Sequence, residues 1–199
     1  MVFVGDLVDR GPDTPGVLRL AMAMIEAGAG LCVAGNHDDK MARTLQGRNV
    51  RISRGRALAL AQLEADPALI EPACRFLAGL PTQLVLDEGR LLVAHAGLAE
   101  ELHGVDSPRA RSFALYGDTT GERDERGYPV RVDWAAAYRG PALVVYGHVA
   151  VPEPRWVHNT VNIDTGCVFG GRLTALRYPE RELVSVPAAR AYFDGGRGP

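Results

Sequence analysis

Four residues spread along the chain have the side chains and the settings of ligands. Asp6 follows the apolar run Met1 to Val4, Asn36 follows Leu31 to Ala34, His95 follows Arg90 to Ala94, and His148 follows Ala142 to Tyr146. Each lies beside glycine, in Gly5-Asp6, Gly35-Asn36, Gly147-His148 and His95-Ala96-Gly97. One polar residue at a strand end carries no message, whereas four of this kind form a pattern. A carboxylate, an amide oxygen and two imidazoles make a mixed oxygen and nitrogen donor set. It suits Mn, Fe, Zn or Ni, and neither calcium nor a thiolate cluster. Neighbouring glycines let the backbone turn sharply, so that short side chains can reach a common centre. Taken alone, any of these histidines could be a satisfied loop or core residue. His103 and His158 lack such company and read as solvated loop histidines.

The donors need a frame. Met1 to Val4 reads as a buried strand that delivers Asp6 at its C-terminal end. A helix follows, capped by Asp13 or Thr14 with Pro15 in its first turn. Val17, Leu18, Ala21, Met22 and Ile25 recur at helical spacing before Gly28 and Gly30 stop it. Leu31 to Ala34 is a second buried strand, so the unit reads as parallel strand-helix-strand with its polar residues at the ligand-binding ends. Asp38 to Leu80 is helical in pattern, two or three helices with breaks near Gly55, Pro67 and Gly79. Thr82 to Leu86 and Arg90 to Ala94 flank the turn Asp87-Glu88-Gly89 as a hairpin. Ser107 to Arg139, rich in Gly, Pro and charge, reads as a long functional or mobile loop. Strands resume at Ala142 to Tyr146, Thr160 to Ile163 and Arg172 to Tyr178.

The 199 residues, 47% hydrophobic and 23% charged, suffice for one domain with an ordinary core. The formal net charge of -2 gives no global field to attract a polyanion, so any nucleic-acid contact must rest on a local basic patch. Three separated cysteines, Cys32, Cys74 and Cys167, make neither a disulfide framework nor a zinc ribbon and read as small buried hydrophobes. No apolar run reaches bilayer length and no signal peptide precedes Asp6, so a cytoplasmic protein without membrane contact is expected.

Gly5-Asp6-Leu7-Val8-Asp9-Arg10-Gly11, Gly35-Asn36-His37-Asp38, His95-Ala96-Gly97 and Tyr146-Gly147-His148, in this order, resemble the signature motifs of metallophosphoesterases of the phosphoprotein-phosphatase superfamily. The resemblance implies an α/β fold, a calcineurin-like β-sandwich flanked by helices. It also implies two divalent metal ions, with Mn foremost and Ni, Fe or Zn as alternatives. Asp6 would bridge them, while Asn36, His95 and His148 complete the shell of the second. Arg10 would clamp phosphate with its planar fork. His37 would be the general acid, oriented by Asp9, and a metal-activated water would attack phosphorus in line. The plainer reading of Asp9 and Arg10 is a surface ion pair at a turn.

Leu45 to Val50, Leu115 to Gly121, Gly127 to Arg131 and Asn162 to Gly171 are similar to the phosphatase domain of bacterial polynucleotide kinase-phosphatase. That branch implies RNA repair: removal of 2',3'-cyclic, 2'- or 3'-phosphates from RNA ends, with Asp164 as a further active-site carboxylate. Its members work beside kinase and ligase domains or an RNA methyltransferase. A dinucleoside tetraphosphatase or a serine/threonine protein phosphatase would share the metal motifs. The family's first motif, Asp-x-His on a strand before Asp6, has no counterpart here, since neither Asp87 nor Asp106 is followed two residues on by His. The expected fold therefore lacks its first strand. It would hold one ion as it stands, in a weak phosphatase or a non-catalytic remnant. The phosphatase domain is expected to span 1–187, with a C-terminal tail over 188–199.

Overall fold

The computed structural model describes residues 1–125, 127 and 129–194. Strand β1 (Val2–Phe3) runs parallel to β2 (Leu31–Cys32), joined by α1 (Thr14–Glu26). Helix α1 forms where the sequence places it: the Asp13 carboxylate accepts from the Gly16 amide at 2.8 Å, Pro15 lies in the first turn, and Leu18 and Ala21 are buried, although Val17, expected on the apolar face, is exposed. Three helices follow, α2 (Asn36–Leu45), α3 (Arg54–Glu64) and α4 (Pro67–Gly79). The expected break near Gly55 falls at 46–53, between α2 and α3, and Gly55 itself is helical. It lies in the first turn of α3, behind the Ser53 cap, whose hydroxyl accepts from the Arg56 amide at 3.3 Å.

The hairpin of β3 (Gln83–Leu86) and β4 (Leu91–Ala94) forms as expected. Ser107 to Arg139, by contrast, is largely structured among its described residues: α5 (Pro108–Tyr116), the hairpin of β5 (Thr119–Arg123) and β6 (Pro129–Arg131), and α6 (Trp134–Ala137). Ser107 caps α5 and Pro108 starts it, while Ala110, Phe113 and Ala114 recur at helical spacing between arginines that stay in solvent. The arginines masked that period. Tyr128, in one of the resembling stretches, lies outside the described residues.

Strands β7 (Leu143–Tyr146) and β9 (Thr160–Asn162) extend β4 in parallel, and β8 (Arg155–Val157) closes a five-stranded sheet in the order β3-β4-β7-β9-β8. β10 (Arg172–Arg177) and β11 (Glu182–Pro187) form an antiparallel ribbon. Strands β8 and β11 were not foreseen. β8 has only three residues after a proline-flanked turn, and most of β11 is exposed, so neither shows a hydrophobic run.

Three clusters make the core. Helices α1 to α4 bury Leu18, Met41, Leu63, Ala73 and Leu77 against β2. Val2, Val33, Leu176 and Leu183 face Val93, Val145 and Val161 across the two sheet layers. On the far side of the large sheet, Leu92 and Val144 meet Phe113, Trp134 and Tyr138 of α5 and α6. The order is helices, strands, strands, helices, a sandwich between helical flanks. Asp6, Asn36, His95, His148 and Asp164 all lie just beyond the C-terminal ends of β1, β2, β4, β7 and β9. No described helix is long and apolar enough to cross a membrane. Residues 188–194 return to the body, with the amides of Ala188 and Tyr192 donating to Gly171 and Val168 at 2.9 Å each. Residues 195–199 of the expected tail lie outside the described residues.

Candidate functional site

The four donors converge on one atom. His95 Nε2 lies 3.1 Å from His148 Nδ1, 3.2 Å from Asn36 Oδ1 and 3.3 Å from Asp6 Oδ2. His95 Nδ1 faces the Val4 carbonyl at 2.9 Å, which only a protonated Nδ1 can satisfy. Nε2 of a neutral His95 is therefore a bare lone pair, and around it stand two oxygens and a second ring nitrogen. Lone pairs gathered this closely repel unless a positive charge lies among them. The spacing matches donors sharing one cation at about 2.0 to 2.2 Å each. A proton partly fills the need: burial opposes charge on His95, but the Asp6 carboxylate and hydrogen bonds outweigh it and lift its pKa to about 9. Burial, then the charges of His95 and Arg131, push His148 down to about 3, so it stays neutral and free to ligate. Burial raises the pKa of Asp6, but His95 and His37 more than offset it and hold the carboxyl well below the usual range.

Backbone geometry sets Asp6. The His37 amide, at the start of α2, donates to Asp6 Oδ1 at 3.0 Å, leaving Oδ2 for the cluster. Asp38 ties the two strand ends together, its carboxylate accepting from the amides of Asp6, Leu7 and Gly35 at 2.7, 2.9 and 2.9 Å. Burial and the Asp6 charge raise Asp38 to about 6 against those donors. Gly5 and Gly35 touch: a Cβ on Gly5 would lie 2.5 Å from the Gly35 nitrogen, and one on Gly35 would overlap Asp6 Oδ1. Their role is close approach as well as turning. Asp6, Asp9, Arg10 and His148 themselves take positive φ, at 55°, 70°, 64° and 75°. Strain of this kind concentrates at functional sites, and here it falls on candidate site residues rather than on glycines alone.

Asp9 and Arg10 do not form the surface pair of the plainer reading. Asp9 is buried, and its Oδ2 lies 2.5 Å from His37 Nδ1 and accepts from Arg56 Nη2 at 3.0 Å. Arg56, 2% exposed, also donates to the Arg51 carbonyl at 3.2 Å. Sequence reasoning missed it, because an arginine early in an amphipathic helix normally points to solvent. Arg10 points the other way, with its guanidinium carbon 5.4 Å from the Phe169 ring and 6.0 Å from the Phe193 ring.

Asp164 is half-buried behind Gly147 and accepts from the Gly166 amide at 3.0 Å. Burial raises its pKa, and the charges of Asp6, His95 and Arg10 are felt there. Arg131 on β6 is close enough to lower His148, a role its sequence gave no sign of. His103 stacks on Tyr138 with ring centroids 5.8 Å apart, and His158 is exposed, so neither joins the cluster. The cysteines are free; Cys32 is buried, while Cys74 and Cys167 are half-buried.

A model of the calcineurin-like phosphoesterases matches residues 1–171. Bis(5'-nucleosyl)-tetraphosphatase PrpE [asymmetrical] of Anoxybacillus flavithermus is 46% identical over 197 residues, covering 96% of this chain and 80% of its own length. The protein of the same description from Geobacillus thermodenitrificans is 47% identical over 192 residues, covering 94% and 78%. The crystal structure of a proposed diadenosine tetraphosphatase superposes with a TM-score of 0.68 at 28% identity, covering 98% of this chain and 81% of that one. These matches correct the RNA-repair resemblance. Identity of 46% across nearly the whole chain outweighs likeness in four short stretches, and it points to the tetraphosphatase alternative.

Proposed function

Because the chain belongs to the calcineurin-like phosphoesterases, a family of divalent-metal hydrolases, we propose that it cleaves the phosphoanhydride chain of dinucleoside tetraphosphates. The observation that carries the metal-dependent part is the convergence of Asp6 Oδ2, Asn36 Oδ1 and His148 Nδ1 on His95 Nε2. These four atoms would hold one ion, Mn being our choice for a mixed carboxylate, amide and imidazole shell. Such an ion supplies an acidified water and neutralises charge on the phosphoryl group. Among the described residues, only Asp6 of this set has a second carboxylate oxygen to offer another ion.

Arg10, free of any carboxylate partner among the described residues, clamps the phosphoryl oxygens with its planar fork. His37 Nδ1 is held by Asp9, which leaves Nε2 to give a proton to the leaving oxygen as the bond to phosphorus breaks. Arg56 holds Asp9 in place from behind. Asp164 is near enough to feel the charges of Asp6, His95 and Arg10 and adds a further carboxylate to the site. The test is hydrolysis of diadenosine tetraphosphate with Mn, followed by separation of the nucleotides. ATP and AMP in equal amounts are expected, the products of asymmetrical cleavage. An intact tetraphosphate alongside rapid turnover of RNA 2',3'-cyclic or 3'-phosphate ends would overturn the reading.

A further inference from the structure

The segment Ser53 to Arg56 wraps around Arg10. Gly55 covers it, its carbonyl accepting from the Arg10 amide at 3.4 Å, and a Cβ there would lie 2.8 Å from Arg10 Cγ. Arg56 passes behind to Asp9, as described. Arg54 is exposed, its guanidinium carbon 5.6 Å from the Phe193 ring, the same ring that lies 6.0 Å from that of Arg10. Phe193 is brought there by residues 188–194, anchored through Ala188, Tyr192 and the bridge between Phe169 and Ala191. One aromatic ring is thus shared by two arginines, and the charge of one of them, Arg10, reaches Asp164 together with those of Asp6 and His95.

What sets these two arginines apart is the ring they share, and neither has a carboxylate partner among the described residues. A guanidinium held against a ring is stiffened without losing any of its five N–H donors, the state best prepared for bidentate capture of phosphate. The ring contacts are already taken by these cations, which disfavours a base-stacking role for Phe193.

We propose that Arg54 and Arg10 grip two phosphates of one polyphosphate chain, Arg10 on the phosphoryl group attacked and Arg54 on another that is retained. This inference rests on the proposed function and deepens it: Arg54 selects substrates with a chain of phosphates over simple monoesters. Because Arg54 is exposed, its replacement leaves the core intact.

The experiment compares kcat/KM for diadenosine tetraphosphate and p-nitrophenyl phosphate in the Mn-loaded chain. Arg54→Ala should lose at least tenfold more on the tetraphosphate than on the monoester, mainly through KM. Arg54→Lys should recover only part of the loss, and Phe193→Leu should act in the same direction more weakly. Calorimetric titration of the metal-free chain should show tripolyphosphate binding weakened at least fivefold by Arg54→Ala, and orthophosphate binding weakened less. Equal losses on both substrates would overturn the second-phosphate contact. If the wild-type chain leaves the tetraphosphate intact, the proposed function fails instead. The tripolyphosphate titration then still decides, because equal binding by wild type and Arg54→Ala would overturn the clamp.

Discussion

Arg56 is a full positive charge with 2% of its side chain in water, and its reason for being there is a single carboxylate oxygen, Asp9 Oδ2. Removing one partner of a buried pair strands the other, at a cost of about 3–5 kcal/mol. Arg56→Met should therefore lower unfolding stability by about 3 kcal/mol or more in urea titrations. Combining it with Asp9→Asn should cost less than the two losses added, since the double variant strands no charge. A loss within about 1 kcal/mol for Arg56→Met would mean that His37 and water suffice for Asp9. The same Asp9 oxygen fixes His37, and this gives a second expectation. His37→Ala should reduce turnover of alkyl phosphate esters far more than that of p-nitrophenyl phosphate, whose leaving oxygen needs no proton. Equal losses would remove His37 from the role of acid. Asp9, Arg10 and His37 were legible as a motif, but Arg56 was not. Its partner is 47 residues away in sequence, and nothing local distinguishes a buried arginine from a solvated one.

At the scale of elements, the site is made by two strand ends that meet without side chains between them. Gly35 opens α2 where Asp6 leaves β1, and a methyl group there would occupy the space of the Asp6 carboxylate and amide. Gly35→Ala should thus displace Asp6 and lower activity by two orders of magnitude or more, about 2.7 kcal/mol of transition-state stabilisation. Gly47, just beyond α2, has φ of 74° but no atom within 4 Å of a built Cβ. Gly47→Ala should cost about 1–2 kcal/mol in stability and spare the rate. Steady-state kinetics beside thermal melting separates the two cases, and an active Gly35→Ala enzyme would sink the close-approach argument. The first strand-helix-strand unit was readable because its apolar runs, cap and glycine stops are contiguous. Residues 107–139 were not, because α5 hides its apolar face among arginines and its ribbon has no hydrophobic run. The return of residues 188–194 onto Phe169 left no local trace either, being set by backbone bonds to a distant loop.

Across the whole molecule, the cluster joins two layers: Asp6 and Asn36 come from the β1-β2 side, His95 and His148 from the five-stranded sheet. A cation there ties the two sheets together, so Mn should raise the melting temperature. Binding to the folded state alone adds about 2.7 kcal/mol at a hundred times Kd. The pH dependence of that effect follows from the groups in the cluster. His95 is raised from its ordinary 6.5 to about 9, so in the metal-free protein its protonated form contributes stability that is fully present below 6.5 and lost as pH rises through 9. The ion must displace that proton, so Mn affinity should rise about tenfold per pH unit from 7 towards 9 and level off above. Each such step adds about 1.4 kcal/mol to the stabilisation at fixed excess Mn. His148, near 3, and Asp6, held lower still than a normal carboxyl, have no proton to release in this window, and Asp38, near 6, titrates below it. The Mn-induced shift in melting temperature should therefore grow steadily between pH 6.5 and 9. Calorimetric titration at pH 7.5 in buffers of different ionisation enthalpy should count close to one proton released per ion. An Mn affinity that ignores pH across this range, with no proton released, would show that His95 Nε2 is not where the cation binds.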